Sequence, residues 1–208
     1  MIRLIIFLFC VTGIVFLLIR IFQKKTTLPK LVLLDRDGVI NVERSDYVKS
    51  RDEFEFIPGV VEAIKMLNNA KIKVMIVTNQ GGIGRGLYSH DDLEDIHTYM
   101  KESLKVGGAY VDQILICPDH PDSPSHRRKP GTGMFEEALA HLHTKPQDTH
   151  MIGDDMRDLI PAFKCGIHRH LVLTGKGKKT LENPELKTIA PLQVHKDLLE
   201  AVKDILKA

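Results

Sequence analysis

Short, wholly apolar runs alternate along this chain with longer stretches in which apolar residues recur every three or four positions. Leu31-Val32-Leu33-Leu34, Ile72 to Val77, Val111 to Cys117, His150-Met151-Ile152 and Leu171-Val172-Leu173 are of the first kind. Continuous runs of that length are the pattern of strands covered on both faces. Pro58-Gly59 opens the first helical stretch, whose stripe is Val60, Val61, Ile64 and Leu67 and which ends near Asn68-Asn69. A second runs from Ser89, capped by Ser89 and Asp92, to Lys105. Met134 to His143, Arg157 to Lys164 and the amphipathic Leu198 to Leu206 complete the set. Strands alternating with helices predict a doubly wound α/β domain over residues 30–208, with a parallel sheet and right-handed crossovers.

The amino terminus breaks this alternation. Leu4 to Ile19 carries no charge, and Ile21 and Phe22 extend the apolar run past Arg20. That approaches the roughly 20 residues a helix needs to cross a bilayer. Arg20, Lys24 and Lys25 follow it, with no small-residue cleavage site. The expectation is a transmembrane helix over 1–23, joined by a linker at 24–29 and acting as an uncleaved single-pass membrane anchor. Arg20, Lys24, Lys25 and Lys30 after the span, against Arg3 and the amino group before it, place the catalytic domain in the cytoplasm.

Composition narrows the partners. The chain has 208 residues, 43% hydrophobic and 27% charged, which suits one well-buried domain. A net charge of +2, with no basic block interleaved with aromatics, gives no reason to expect nucleic acid. Cys10, Cys117 and Cys165 are scattered and odd in number, so no disulfide framework is implied.

Candidate chemistry collects after the strands, where open α/β sheets gather ligands. Asp35-Arg36-Asp37-Gly38 follows the first strand, Thr78-Asn79-Gln80 the second, and Asp154-Asp155 the fourth. Two carboxylates one residue apart can hold magnesium and divide nucleophilic and acid/base work. The same tetrapeptide composition also makes simple turns. A calcium loop is excluded, because Val39, Ile40 and Val42 stand where oxygen ligands are needed.

Taken in order, Leu34-Asp35-Arg36-Asp37-Gly38-Val39-Ile40-Asn41, Val77-Thr78-Asn79-Gln80, Arg128-Lys129-Pro130 and Gly153-Asp154-Asp155 resemble the four motifs of the haloacid dehalogenase superfamily. Within it they are most similar to the heptose bisphosphate phosphatase group, with histidinol-phosphate phosphatases as near relatives; the motif spacing leaves no room for a large cap domain. The resemblance implies a magnesium-dependent phosphomonoester hydrolase acting through an aspartyl phosphate on a heptose bisphosphate or similar small phosphorylated metabolite. It assigns Asp35 as nucleophile and Asp37 as acid/base, with Thr78 and Lys129 serving the phosphoryl oxygens. Asn79, Gln80, Arg85 and Arg128 are implied substrate contacts; Asp35, Asp37 through its carbonyl, and Asp154 are implied magnesium ligands. A monomer is expected.

The chain departs from the resembling group in two places. That group binds structural zinc through cysteines and a histidine in the loop after the third strand, and here only Cys117 is kept. Asp119, Ser125 and Arg127 occupy the other places, and His120 and His126 with Cys117 make at most three ligands where a closed site wants four, so zinc is not expected. The group often carries a lysine after its fourth-motif aspartate; Asp155 stands there instead and reads as the cap of the Arg157 helix, with Asp154 the metal ligand. Asp158 could be a second acid. Gly81 to Gly86 reads equally as a phosphate cradle or a tight strand exit, and Gly175 to Lys179 as a solvated loop before a phosphate lid. The alternatives are a histidinol-phosphate phosphatase and a membrane-anchored binding module without catalysis.

Overall fold

The computed structural model describes residues 28–207. Its centre is strand β1 (Leu31–Leu34), fully buried along its length because both faces are covered. The other strands are β2 (Lys73–Asn79), β3 (Gln113–Cys117), β4 (Thr149–Gly153), β5 (His168–Val172) and β6 (Gln193–His195). All pairings are parallel, in the order β3-β2-β1-β4-β5-β6. The chain winds outward from β1 to β2 and β3, then returns to β4 on the other side of β1. That reversal opens a crevice beyond the carboxyl ends of β1 and β4.

Helices α1 (Val60–Asn69), α2 (Gly81–Gly84), α3 (His90–Val106), α4 (Gly133–His141), α5 (Met156–Lys164), α6 (Gly177–Leu181) and α7 (Leu198–Ile205) connect and cover the strands. Val32, Leu34, Val74, Ile76 and Ile152 face one core with apolar residues of α1, α3 and α7. Leu31, Leu33, Met75, Val77 and Met151 alternate onto the opposite core with Met134 and Phe135 of α4 and Ala162 of α5. The cap expected at Ser89 is a reciprocal capping box with Asp92. β6 is absent from the sequence reading, since its three residues are polar or half exposed and carry no apolar run.

The expected transmembrane helix and the membrane-anchored location are corrected. Among the described residues, no helix is long and apolar enough to cross a membrane. The longest described helix, α3, has 17 residues and keeps one face charged with Asp91, Glu94, Asp95, Lys101 and Lys105. Residues 1–23, on which the expectation fell, lie outside the described residues.

Candidate active site

Because β1 and β4 are neighbours, the residues that leave them meet. Asp35 follows β1 directly, Asp154 follows β4, and Asp158 sits one turn into α5. Each offers a carboxylate oxygen, and these oxygens all lie within 4.8 Å of one another. Burial, then the charge of Asp158, pushes the Asp35 carboxyl up to about 7. Burial, then Asp158 and Asp35, pushes Asp154 up to about 8. Three carboxylates held this close out of water repel one another and favour protonation unless a cation joins them.

One such cation is Lys129. Its Nζ, only 2% exposed, contacts Asp35 Oδ1 at 2.9 Å and Asp158 Oδ1 at 2.6 Å and donates to Val77 O at 2.8 Å. Burial alone would lower the lysine, but the charges of Asp158 and Asp35 outweigh it and raise it, so it stays an ammonium. The loop after β3 is brought back to the sheet by Asn79. Its side chain donates to Lys129 O at 2.9 Å and accepts from Lys129 N at 3.0 Å, a two-way clasp that sets the lysine's stem.

Asp154 is enclosed by backbone. Lys176 N donates to its Oδ2 at 2.7 Å, and a Cβ at Gly38 or Gly175 would fall 2.1 or 2.0 Å from that same oxygen. Both glycines also have positive φ, +82° and +53°, so the turn needs them twice over. Thr174 Oγ1 donates to Gly38 O at 2.6 Å and ties the two turns together.

Asp37 has a different environment. Burial would raise its carboxyl, but the Arg36 charge and hydrogen bonds from Asn41, Arg36 and Gln80 outweigh burial and hold it below the usual carboxylate range. Arg36 NH2 and Asn41 Nδ2 each donate to Oδ1 at 3.0 Å, and Gln80 Nε2 donates to Oδ2 at 3.1 Å. Arg36 is itself buried, with NH1 donating to His97 Nε2 at 3.3 Å; burial and Arg36 push that imidazole down to about 3, so it accepts as a neutral ring. Asp35 and Asp37, two residues apart, are thus driven in opposite directions.

These groups line a cavity of about 490 Å³ together with Thr78, Asn79 and Arg128. Gln80 and Arg85 do not line it. Gln80 is buried behind Thr78 and Asp37, while Arg85 is exposed and lies 6.0 Å from the centre of the Tyr47 ring. Arg128 donates to Asp119 O at 3.2 Å and passes so close to Gly81 that a Cβ there would sit 2.9 Å from its NH1. Asp155 caps α5, accepting from Arg157 N at 3.0 Å, and Asp158 completes a capping box while facing Lys129. Glu43, Tyr47, Arg157 and Lys176 also line the cavity. The sequence reading names Lys176 only within the Gly175 to Lys179 loop and none of the others as a substrate contact, because the meeting of these segments depends on the sheet order. In the loop after β3, Cys117 Sγ and Ser125 Oγ both bond Asp119 Oδ2, while His120 and His126 contact Asp122 and Glu136.

An acidic pocket at the switch point of a parallel sheet, with a lysine and a threonine at its floor, defines an α/β enzyme that handles phosphoryl groups. Residues 30–158 match the family described as polynucleotide kinase 3 phosphatase, and residues 126–201 the HAD-hydrolase-like family. A D-glycero-beta-D-manno-heptose-1,7-bisphosphate 7-phosphatase of Neisseria meningitidis is 40% identical over 152 residues, covering 73% of this chain and 81% of the relative. The corresponding phosphatase of Chlorobaculum tepidum is 35% identical over 185 residues, covering 83% and 92%. The crystal structure of D,D-heptose 1,7-bisphosphate phosphatase from Bordetella bronchiseptica, complexed with magnesium and phosphate, superposes with a TM-score of 0.80 at 37% identity, covering 86% of this chain and 98% of that one. The chain belongs to the haloacid dehalogenase-like hydrolases and is a phosphatase.

Proposed function

We propose that this phosphatase hydrolyses D-glycero-D-manno-heptose 1,7-bisphosphate or a closely similar sugar phosphate, with Asp35 as nucleophile. The observation that carries the reading is the convergence of Asp35, Asp37, Lys129, Asp154 and Thr78 on one cavity. An Asp35 oxygen attacks phosphorus, the bond from phosphorus to the substrate oxygen breaks, and Asp37, ionised in the free protein and protonated with the anionic substrate beside it, supplies the proton that the leaving alkoxide takes. Water then attacks the phosphoryl group, Asp37 takes the proton, and the bond to Asp35 breaks to free orthophosphate. Lys129 and the Thr78 hydroxyl face the phosphoryl oxygens where charge redistributes. Arg128 grips a phosphate oxygen through its guanidinium.

The carboxylate trio fits a hard divalent ion, because Lys129 pairs with Asp35 and Asp158 and, among the described residues, leaves the neighbouring Asp154 carboxylate without a cation of its own. Asp35, Asp154 and the Asp37 carbonyl would hold magnesium, which supplies charge neutralisation between carboxylate and phosphate when bound. Relatives named for the heptose bisphosphate support the substrate, as does a cavity rim carrying Arg128, Arg157 and Lys176 for a second anionic group. Phosphate release from heptose 1,7-bisphosphate and from histidinol phosphate, each with and without magnesium, tests the reading. Faster release from the bisphosphate is expected, and preference for histidinol phosphate would replace the substrate assignment.

A further inference from the structure

Gln80 is 1% exposed, yet both its amide protons and its amide oxygen are engaged. Nε2 donates to Thr78 Oγ1 at 2.9 Å and to Asp37 Oδ2 at 3.1 Å, and Oε1 accepts from Tyr88 Oη at 2.6 Å. One glutamine therefore touches both the threonine at the cavity floor and the acid/base carboxylate, from behind. Tyr88 lies a layer further out, just before α3, and does not line the cavity.

We infer that Tyr88 is a positioning residue for the phosphoryl transfer: its hydroxyl, together with the Asp37 carboxylate, holds the Gln80 amide in the one orientation that turns the Thr78 hydroxyl proton toward the substrate. The inference rests on the phosphatase reading above and adds to it which buried groups aim the donor. A glutamine amide has two orientations related by a half-turn. In the observed one, donors face the two acceptors and the acceptor faces the tyrosine. In the flipped one, Oε1 would face Asp37 Oδ2, acceptor against acceptor, in a buried site where the mismatch is costly. A threonine hydroxyl owns a single proton. Because Gln80 donates into its oxygen, that proton is free for the cavity and the phosphoryl oxygen.

Burial pushes the Tyr88 hydroxyl up to about 12, so it remains a donor across the working range. Its ring is seated by Gly82, where a Cβ would fall 2.1 Å from Tyr88 Cε1. This gives the glycine-rich segment after β2 a role as the seat of a tyrosine, distinct from both readings its sequence invites.

Three proteins test the inference with an aryl phosphate and magnesium: Tyr88→Phe, Gln80→Leu and the double variant. Tyr88→Phe removes one hydroxyl and nothing of the ring, so the fold should hold, with the melting temperature lowered by a few degrees for the unpartnered Gln80 oxygen. Its kcat should fall about tenfold with KM within about twofold, the size of effect expected when a reacting group is slightly misaimed. The double variant should be no slower than Gln80→Leu alone, because Tyr88 acts through Gln80. In the metal-free protein, the Gln80 side-chain amide signals should exchange slowly with water and shift in Tyr88→Phe. Unchanged kcat in Tyr88→Phe, additive losses, or amide signals indifferent to the substitution would each overturn the inference. The spectra need neither substrate nor metal, so a wild-type protein that releases no phosphate would sink the phosphatase reading separately.

Discussion

Lys129 Nζ stands 2.6 Å from Asp158 Oδ1, with the two side chains 2% and 1% exposed. A pair this deep keeps its value only while both partners are present, since either alone is an uncompensated buried charge. Asp158→Asn should therefore cost on the order of 3 kcal/mol of stability. It should also slow turnover, because Lys129 then leans on Asp35 alone. Urea denaturation and phosphate release measured on the same preparation check both; full stability would show that Asp35 suffices as partner.

Asp35→Asn removes the proposed nucleophile and leaves the shape of the site. Activity should drop to background, while the metal-free protein should melt at a temperature equal to or above that of the wild type, because the substitution relieves repulsion from Asp158 and Asp154. Calorimetry alongside an activity assay distinguishes lost chemistry from lost folding.

The acidic trio makes stability depend on pH. Burial and the neighbouring carboxylates push Asp35 up to about 7 and Asp154 up to about 8 in the folded chain, against 3.8 for an unperturbed aspartate. Between those values the native state binds more protons than the unfolded one, so stability contributed at low pH is lost as pH rises toward 8. Magnesium should cancel this loss. The melting-temperature gain on adding magnesium should be larger at pH 8 than at pH 5, and an equal gain at both would contradict the carboxylate assignment.

A row of imidazoles on β4, β5 and β6 has the opposite slope. His150 Nδ1 lies 2.8 Å from His170 Nε2, His170 Nδ1 lies 3.0 Å from His195 Nε2, and His195 Nδ1 lies 3.4 Å from Asp204 Oδ2. Neutral rings, each protonated on Nδ1, satisfy the whole row in one direction. Burial and then the neighbouring His168 lower His150 to about 4, and burial and then His150 lower His170 well below 6.5. Their contribution is complete above about 6.5 and lost as pH falls toward 4. His150→Gln should flatten that acid limb; a difference in melting temperature from wild type that does not vary with pH would refute it.

Gly38→Ala should strike the metal position directly. Its Cβ would meet Asp154 Oδ2, and the positive φ adds backbone strain, together costing roughly 1–3 kcal/mol. Magnesium affinity, read from the metal dependence of the melting temperature, should weaken more than stability does.

The strand and helix order was legible because burial on both faces writes itself as apolar runs, as in Leu31–Leu34 and Val74–Val77. Where burial is partial the signal fades, which is why Gln193–His195 was not recognised as a strand and Gly177–Leu181 was read as loop. Asp35, Asp37, Thr78 and Asp154 could be singled out from their places at strand ends, and Lys129 only through the order of motifs that resembles the haloacid dehalogenase superfamily, before any contact was known.

What sequence by itself determined was the alternation of strands and helices and the identity of the acids at the strand ends, since both follow from local pattern. Only the tertiary structure decided that β1 and β4 are neighbours, and so that Asp35, Asp154 and Asp158 meet, with Lys129 between Asp35 and Asp158. It also decided that Gln80 lies behind the site while Arg157 and Lys176 lie in it. Periodicity reports which face of an element is covered; which element covers it is settled by packing between residues far apart in the chain.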